Sequence, residues 1–380
     1  MILRILILLC VSTLPIYTFE SGGLQISHIF IILIFLYTVA FSDFEVRRYE
    51  YIYMALSLYV LVREAVDVYM FGVGLDGLIS VFYTVFPLLI IFSFGRFELD
   101  NNNRRFLIFG LFSSILTAAV GIYQIGASFT LEEGAITRAI GTFNNPNQLA
   151  YYSVSMMSIL SLLFLRKMIN NLPYLLGMVF LVLLSLLSLS KAGMIATIFP
   201  VFLGILTLNR DRRPSFSTLV MFGLFSVTFF VAYLSGAFDD FSFVRRLDSL
   251  GTDSDDSLAA RGYGAVFEAG GLYVVFGMAQ QGIIDFMGHE VHSTIFSYIS
   301  KYGLIGGGLF LTFLWQWLVR VLKEQGWVGV ALIVLPPMFY GITHNGSRFS
   351  VFWILVALCF APFSRPPLSG DKLSGLARRS

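Results

Sequence analysis

Charged side chains are scarce in this chain of 380 residues. Asp, Glu, Lys and Arg make up only 13% of it, about half the share, roughly a quarter, that a soluble domain carries. That shortage excludes an ordinary water-exposed surface. Cysteine is nearly absent as well: Cys10 and Cys359 sit in apolar runs at opposite ends, too few and too far apart for a zinc set. The formal net charge is +2, and no Lys/Arg run with interleaved aromatics lies on a polar stretch, which argues against a nucleic-acid partner. There is no low-complexity tract and no solenoid period.

What the chain does have is apolar length. Hydrophobic residues make up 57% and aromatics 16%, and mean hydropathy is +0.80. Each membrane crossing takes about 20 apolar residues. The runs place about twelve spans, near 3–19, 24–42, 51–71, 77–95, 106–127, 147–165, 173–189, 192–209, 216–235, 292–320, 326–343 and 349–364. The expected fold is therefore all-α, a polytopic transmembrane helix bundle. Residues 1–235 carry nine spans and 292–364 carry three, with a partly helical outer loop at 236–291 and a tail at 365–380. The first run, Met1 to Phe19, reads as a retained helix because no clean small-x-small cleavage site follows it.

Lys and Arg fix the expected orientation. Arg47-Arg48, Arg96 with Arg104-Arg105, Arg166-Lys167, Arg210 with Arg212-Arg213, and Arg320 with Lys323 alternate with connections almost free of positive charge. Arg4 and Arg378-Arg379 fall on the same side, so both termini are expected in the cytoplasm. The cations left on the outer side are Arg138, Lys191, Arg245, Arg246, Arg261 and Arg348.

Two outer stretches carry candidate chemistry. In Arg138-Ala-Ile-Gly-Thr-Phe-Asn-Asn-Pro-Asn-Gln, Asn145 is placed to cap a helix, Pro146 suits its first position, and Gln148 stands where a capping box wants an amide or acid. That helix would aim free N–H groups outward, a setting that favours phosphate, with Arg138 just upstream and Asn147 in the first turn. The bland alternative is ordinary capping beside an interfacial arginine. In Gly288-His-Glu-Val-His-Ser-Thr, His292 falls near a helix N-terminus, where the dipole disfavours imidazolium and a neutral base is favoured. A bystander held by backbone hydrogen bonds is the competing reading, and the preferred one for His289. A metal held by His289 and His292 lacks a third ligand.

Arg261 suits a diphosphate through its planar fork; a surface ion pair with Asp255 or Asp256 is the alternative, and Asp255-Asp256-Ser257 could cap a helix carrying it. Arg245 and Arg246 could equally meet lipid headgroups. Lys191 sits at a tight turn and can snorkel. His344 and Arg348 flank the last outer turn, where Asn345-Gly346-Ser347 reads as a turn. Arg63, Glu64 and Asp67 form a charged patch in the third span, with Arg63 and Asp67 spaced to pair.

These landmarks resemble the O-antigen polymerase and O-antigen ligase superfamily. They are the Arg138…Gly141-Thr142-Phe143…Asn145-Pro146-Asn147…Leu149-Ala150 stretch, the Ser190-Lys191-Ala192 turn, Arg261, and His292 with Gly303-Leu304-Ile305-Gly306. They cover roughly residues 100 to 320. Lys191 stands where the family usually carries Arg, and Lys301 where an acid commonly precedes the glycine pair. The resemblance implies glycosyl transfer at the periplasmic face of a bacterial inner membrane, from a glycan on undecaprenyl pyrophosphate to a sugar hydroxyl. It implies His292, Arg138 and Arg261 as catalytic residues, with Asn145, Asn147, Lys191, Arg245, Arg246, His344 and Arg348 contacting substrate. No metal and no cofactor are implied; membrane lipid, a chain-length regulator and a flippase are the implied partners. Polymerisation of repeat units is the favoured activity. Ligation to lipid A-core and, from another class, transport of a lipid-linked sugar are the alternatives.

Overall fold

A backbone immersed in hydrocarbon must satisfy its own N–H and C=O groups, and a helix does so within one segment. The computed structural model describes residues 1–19, 24–41, 45–71, 76–98, 100–125, 138–207 and 261–362, and among these residues it is helical with no strand. The expected ninth span, Arg245, Arg246, the Asp255-Asp256-Ser257 cap and the tail lie outside the described residues.

In chain order the helices are α1 (Ile2–Ser12), α2 (Ile26–Phe41), α3 (Arg48–Phe71), α4 (Asp76–Phe94), α5 (Asn101–Ile125), α6 (Pro146–Leu165), α7 (Asn171–Leu187) and α8 (Lys191–Thr207). After the undescribed stretch come three short helices, α9 (Ala265–Ala269), α10 (Leu272–Phe276) and α11 (Ala279–Met287). The chain then forms α12 (Thr294–Gly329), a π-turn at Val330–Val334, α13 (Leu335–Thr343), a 3-10 turn at Gly346–Arg348 and α14 (Ser350–Phe360).

Three stretches are long and apolar enough to cross a membrane: Asn102–Tyr123, Pro146–Leu165 and Thr294–Thr343. Five other apolar helices, among them Ile26–Phe41 and Asn171–Leu187, are shorter than that criterion asks. The expectation of about twelve spans is met only in this coarser form. The first run stops at Ser12 rather than 19, because Pro15 cannot supply a helical N–H. The following segment turns instead to α6, where Tyr17 N–H donates to the Thr142 carbonyl at 3.1 Å. The two runs expected at 292–320 and 326–343 join into one helical path, broken at Gly303 and Gly326 by positive φ.

At the centre, α6 buries residues on every side and packs against α7, α8, α13 and α14. Its serines 153, 155, 158 and 161 are buried and small, which lets neighbouring helices approach closely. α14 is buried from Val351 to Phe360; a helix apolar all round belongs in a core. α1, α2 and α5 flank this centre on one side, while α3, α4 and α12 pack on another.

One set of helix ends is tied together by arginine hydrogen bonds and ion pairs. Arg4 bonds Asn103, Arg96 pairs with Glu50, and Arg166 reaches Glu324 together with the Leu358 and Cys359 carbonyls. All of these lie at one end of the bundle. The Tyr17–Thr142 link, the 138–145 segment, the short helices and the 344–349 turn lie at the other.

One crossing at that second end depends on glycine. Gly303 has φ 63°, and a Cβ there would meet the Val275 carbonyl oxygen at 2.2 Å. A Cβ on Gly277 would meet the Lys301 oxygen at 2.1 Å. The two bare backbones therefore touch, and Met278 N–H donates to Ser300 O at 3.0 Å, pinning α10 and α11 against α12 and α3.

Candidate active site between the N-termini of α6 and α12

The local sequence builds the first wall. Asn145, extended at φ −154°, accepts the Gln148 N–H on its side chain at 3.0 Å, and Pro146 opens α6. The Gln148 side chain accepts the Asn144 N–H at 2.9 Å, one residue earlier than the expected capping box. Asn147 accepts a hydrogen bond from Arg138 at 3.0 Å. The same guanidinium donates through Nε to the Ser188 carbonyl at the end of α7, also at 3.0 Å, where a cation complements the helix dipole.

The second wall is the start of α12. Ser293 caps it by accepting the Phe296 N–H, and His292 precedes the cap. The 344–349 turn is stitched to this terminus: Thr294 donates to His344 O at 3.1 Å and accepts from Gly346 N–H at 2.8 Å. Asn345 donates to Ser297 at 3.1 Å. Arg261 lies in a turn before α9. It donates to the Thr343 carbonyl at 2.6 Å, and its own carbonyl accepts the His292 N–H at 3.2 Å. Each arginine thus holds the C-terminus of one helix beside the N-terminus of another.

A cavity of about 370 Å³ opens between these walls. Asn145, Asn147, His292, His344 and Arg348 all line it, and so does Glu290. Arg138 and Arg261 are not among its lining residues; Arg138 bonds the lining Asn147 side chain, and the Arg261 carbonyl holds the His292 N–H. Lys191 is the first residue of α8 and is not part of the lining. Polar side chains that the sequence motifs did not include also face it: Tyr17, Gln25, His28, Tyr83 and Tyr340. The chain has four histidines; three line this cavity and the fourth, His289, stacks on His292 at 5.6 Å.

Electrostatics set the protonation of these groups. Desolvation along the wall, then the neighbouring His289 and Arg261, lower the pKa of His292 below the ordinary imidazole value. Burial pushes His344 down to about 3, with Arg261, His292 and Arg138 adding to it. Both rings are neutral at pH 7. The Thr343 hydroxyl donates to Tyr340 O and so accepts from His344 Nδ1, which leaves Nε2 with a lone pair. Burial would raise Glu290, but its ion pair with Arg348 prevails and holds it down to about 2. Glu290 is therefore too weak a base for proton abstraction, and Arg348 is engaged by it.

Behind Glu290 runs a buried polar network. Gln280 donates to Glu290 at 2.6 Å, accepts from Ser80 at 3.0 Å, and gives its backbone N–H to Glu64. Tyr302 donates to Glu64 at 3.0 Å, and Lys301 meets Ser80 at 3.4 Å. Arg63 pairs with Asp67 as its spacing predicts, at 3.4 Å, and also reaches the Gly277 carbonyl. The charged patch of α3 thus braces α11 and the cavity wall. His289 bonds the Glu290 carbonyl at 3.0 Å. Among the described residues no group of three or more His, Cys, Asp or Glu side chains gathers as a metal site. No protein-family model matches the chain, and no curated protein matches it.

Proposed function

We propose that this protein is a membrane glycosyltransferase that joins sugar units carried on undecaprenyl pyrophosphate, polymerising them at the periplasmic face of a bacterial inner membrane. The observation that carries this reading is the shared cavity. It brings a neutral imidazole, His292, to the same space as two helix N-termini, with Arg138 bonded to the lining Asn147 and the Arg261 carbonyl to the His292 N–H.

The chemistry follows from charge. An acceptor hydroxyl gives its proton to His292 while its oxygen attacks the anomeric carbon of the donor. The bond from that carbon to the pyrophosphate oxygen breaks, and the electron pair leaves with the lipid pyrophosphate. Negative charge grows on that group in the transition state, where fixed cations and helix N-termini lower the barrier. The cavity lies at the end of the bundle away from Arg4, Arg96 and Arg166, the end that the positive-inside rule assigns outward with both termini in the cytoplasm.

Deletion of the gene tests the assignment. Accumulation of single lipid-linked repeats supports polymerisation, whereas unattached long polymer identifies a ligase. Buried Glu64, Asp67 and Lys301 favour the transport reading. Counterflow of lipid-linked sugar by the purified protein, without any new glycosidic bond, would establish transport instead.

A further inference from the structure

The cavity has a wall that this chemistry leaves unused. It comes from the α1–α2 connection and α4, and it carries Tyr17 and Tyr83. Among the described residues neither phenol oxygen makes a hydrogen bond. Both rings are nevertheless held in place. Tyr17 packs on Phe143 at 5.2 Å between centroids, and its N–H is tied to Thr142. Tyr83 lies against Phe82 at 5.7 Å, with the Arg348 guanidinium over its ring at 5.3 Å. Both rings line the same cavity.

Their polar neighbours are spent. Gln25 accepts the Thr18 N–H and donates to the Phe19 carbonyl. His28 Nδ1 accepts the Gln25 N–H at 3.1 Å, so that nitrogen is unprotonated, and its Nε2 meets the Ser350 hydroxyl at 3.0 Å. This wall therefore offers two fixed hydroxyls set in aromatic carbon and no uncommitted charge. A pyrophosphate gains little there. A sugar ring, with hydroxyls on its edge and C–H groups on its face, matches both features.

We propose that Tyr17 and Tyr83 form the subsite for the acceptor sugar, turning its reactive hydroxyl toward His292. The proposal rests on the transferase reading, and binding separates the two. The probe is the free oligosaccharide repeat, released from its lipid carrier by mild acid, added to full-length protein in nanodiscs and followed by saturation-transfer NMR. Tyr17→Phe and Tyr83→Phe each remove one hydroxyl and keep the ring, and each is expected to weaken binding about five- to tenfold. The affinity for inorganic pyrophosphate should not change in either variant. A double variant that binds the oligosaccharide as the unaltered protein does, or an unaltered protein that binds none, overturns the subsite. If the oligosaccharide binds through the tyrosines but lipid-linked units are never joined, the transferase reading falls and the subsite stands.

Discussion

Arg138 donates to the Asn147 side chain across 3.0 Å, so the cation upstream of α6 is fixed to the first turn of that helix. The link orients the guanidinium relative to the free N–H groups at the α6 start, and the Nε bond to Ser188 fixes its other edge. Lysine has no second edge to offer. Arg138→Lys should therefore retain the fold, lose about 1 kcal/mol of stability, and slow chain joining about 10- to 100-fold. Melting temperature and turnover on lipid-linked repeats check this; turnover within twofold of the unaltered protein would remove Arg138 from the anion site.

His292 must be neutral to accept a proton. Its pKa is depressed, so activity should be full at pH 7 and fall as pH drops through a value below the ordinary 6.5. Converting the adjoining Arg261 to Gln removes one depressing charge and should shift that acid limb upward. Initial rates between pH 4.5 and 8 in the two proteins test it; an acid limb at or above 6.5 in the unaltered protein contradicts the assignment.

Stability should also fall on acidification, for two reasons with the same sign. His344 is held down to about 3, so below pH 6.5 the unfolded chain binds a proton that the folded chain refuses. Glu290 is held down to about 2; its contribution is present above 4.5 and is lost as pH falls toward 2. Between pH 6.5 and 5 the refused proton of His344 is expected to cost about 1–2 kcal/mol, allowing for partial solvation. Thermal melts in detergent should show this drop, and His344→Asn should flatten it.

Gly303→Ala places a Cβ 2.2 Å from the Val275 oxygen at a positive φ. A loss of about 3 kcal/mol or more is expected. Gly308, whose Cβ position meets nothing within 4 Å, is the control; Gly308→Ala should stay within about 0.5 kcal/mol. Equal melting temperatures for the two variants would mean that the α10–α12 crossing is not close in solution.

The features legible in the sequence are those set by neighbours along the chain. The Asn145 cap, Pro146 at the first helical position and the Arg63–Asp67 pair follow from local spacing, and the structure has all three. Gln148 was legible in kind but not in detail, since its amide takes the Asn144 N–H rather than that of the cap. Tyr17, His28 and Tyr83 were not legible, because they reach the cavity through contacts about 120 or more residues apart, such as Tyr17 to Thr142 and His28 to Ser350. The bond from Gln280 to Glu64 spans 216 residues and gives the α3 patch a purpose that no periodicity in α3 displays. The early stop of α1 had a visible cause in Pro15, but the apolar run around it outweighed that single residue.

The most direct measurement is the yield of free undecaprenyl pyrophosphate per glycosidic bond formed when purified protein in liposomes is given lipid-linked repeats alone. One lipid pyrophosphate should be released for each bond, and His292→Ala should abolish both products together while the protein still melts cooperatively. Chains that lengthen at the normal rate in His292→Ala, or without release of the lipid pyrophosphate, would contradict the account.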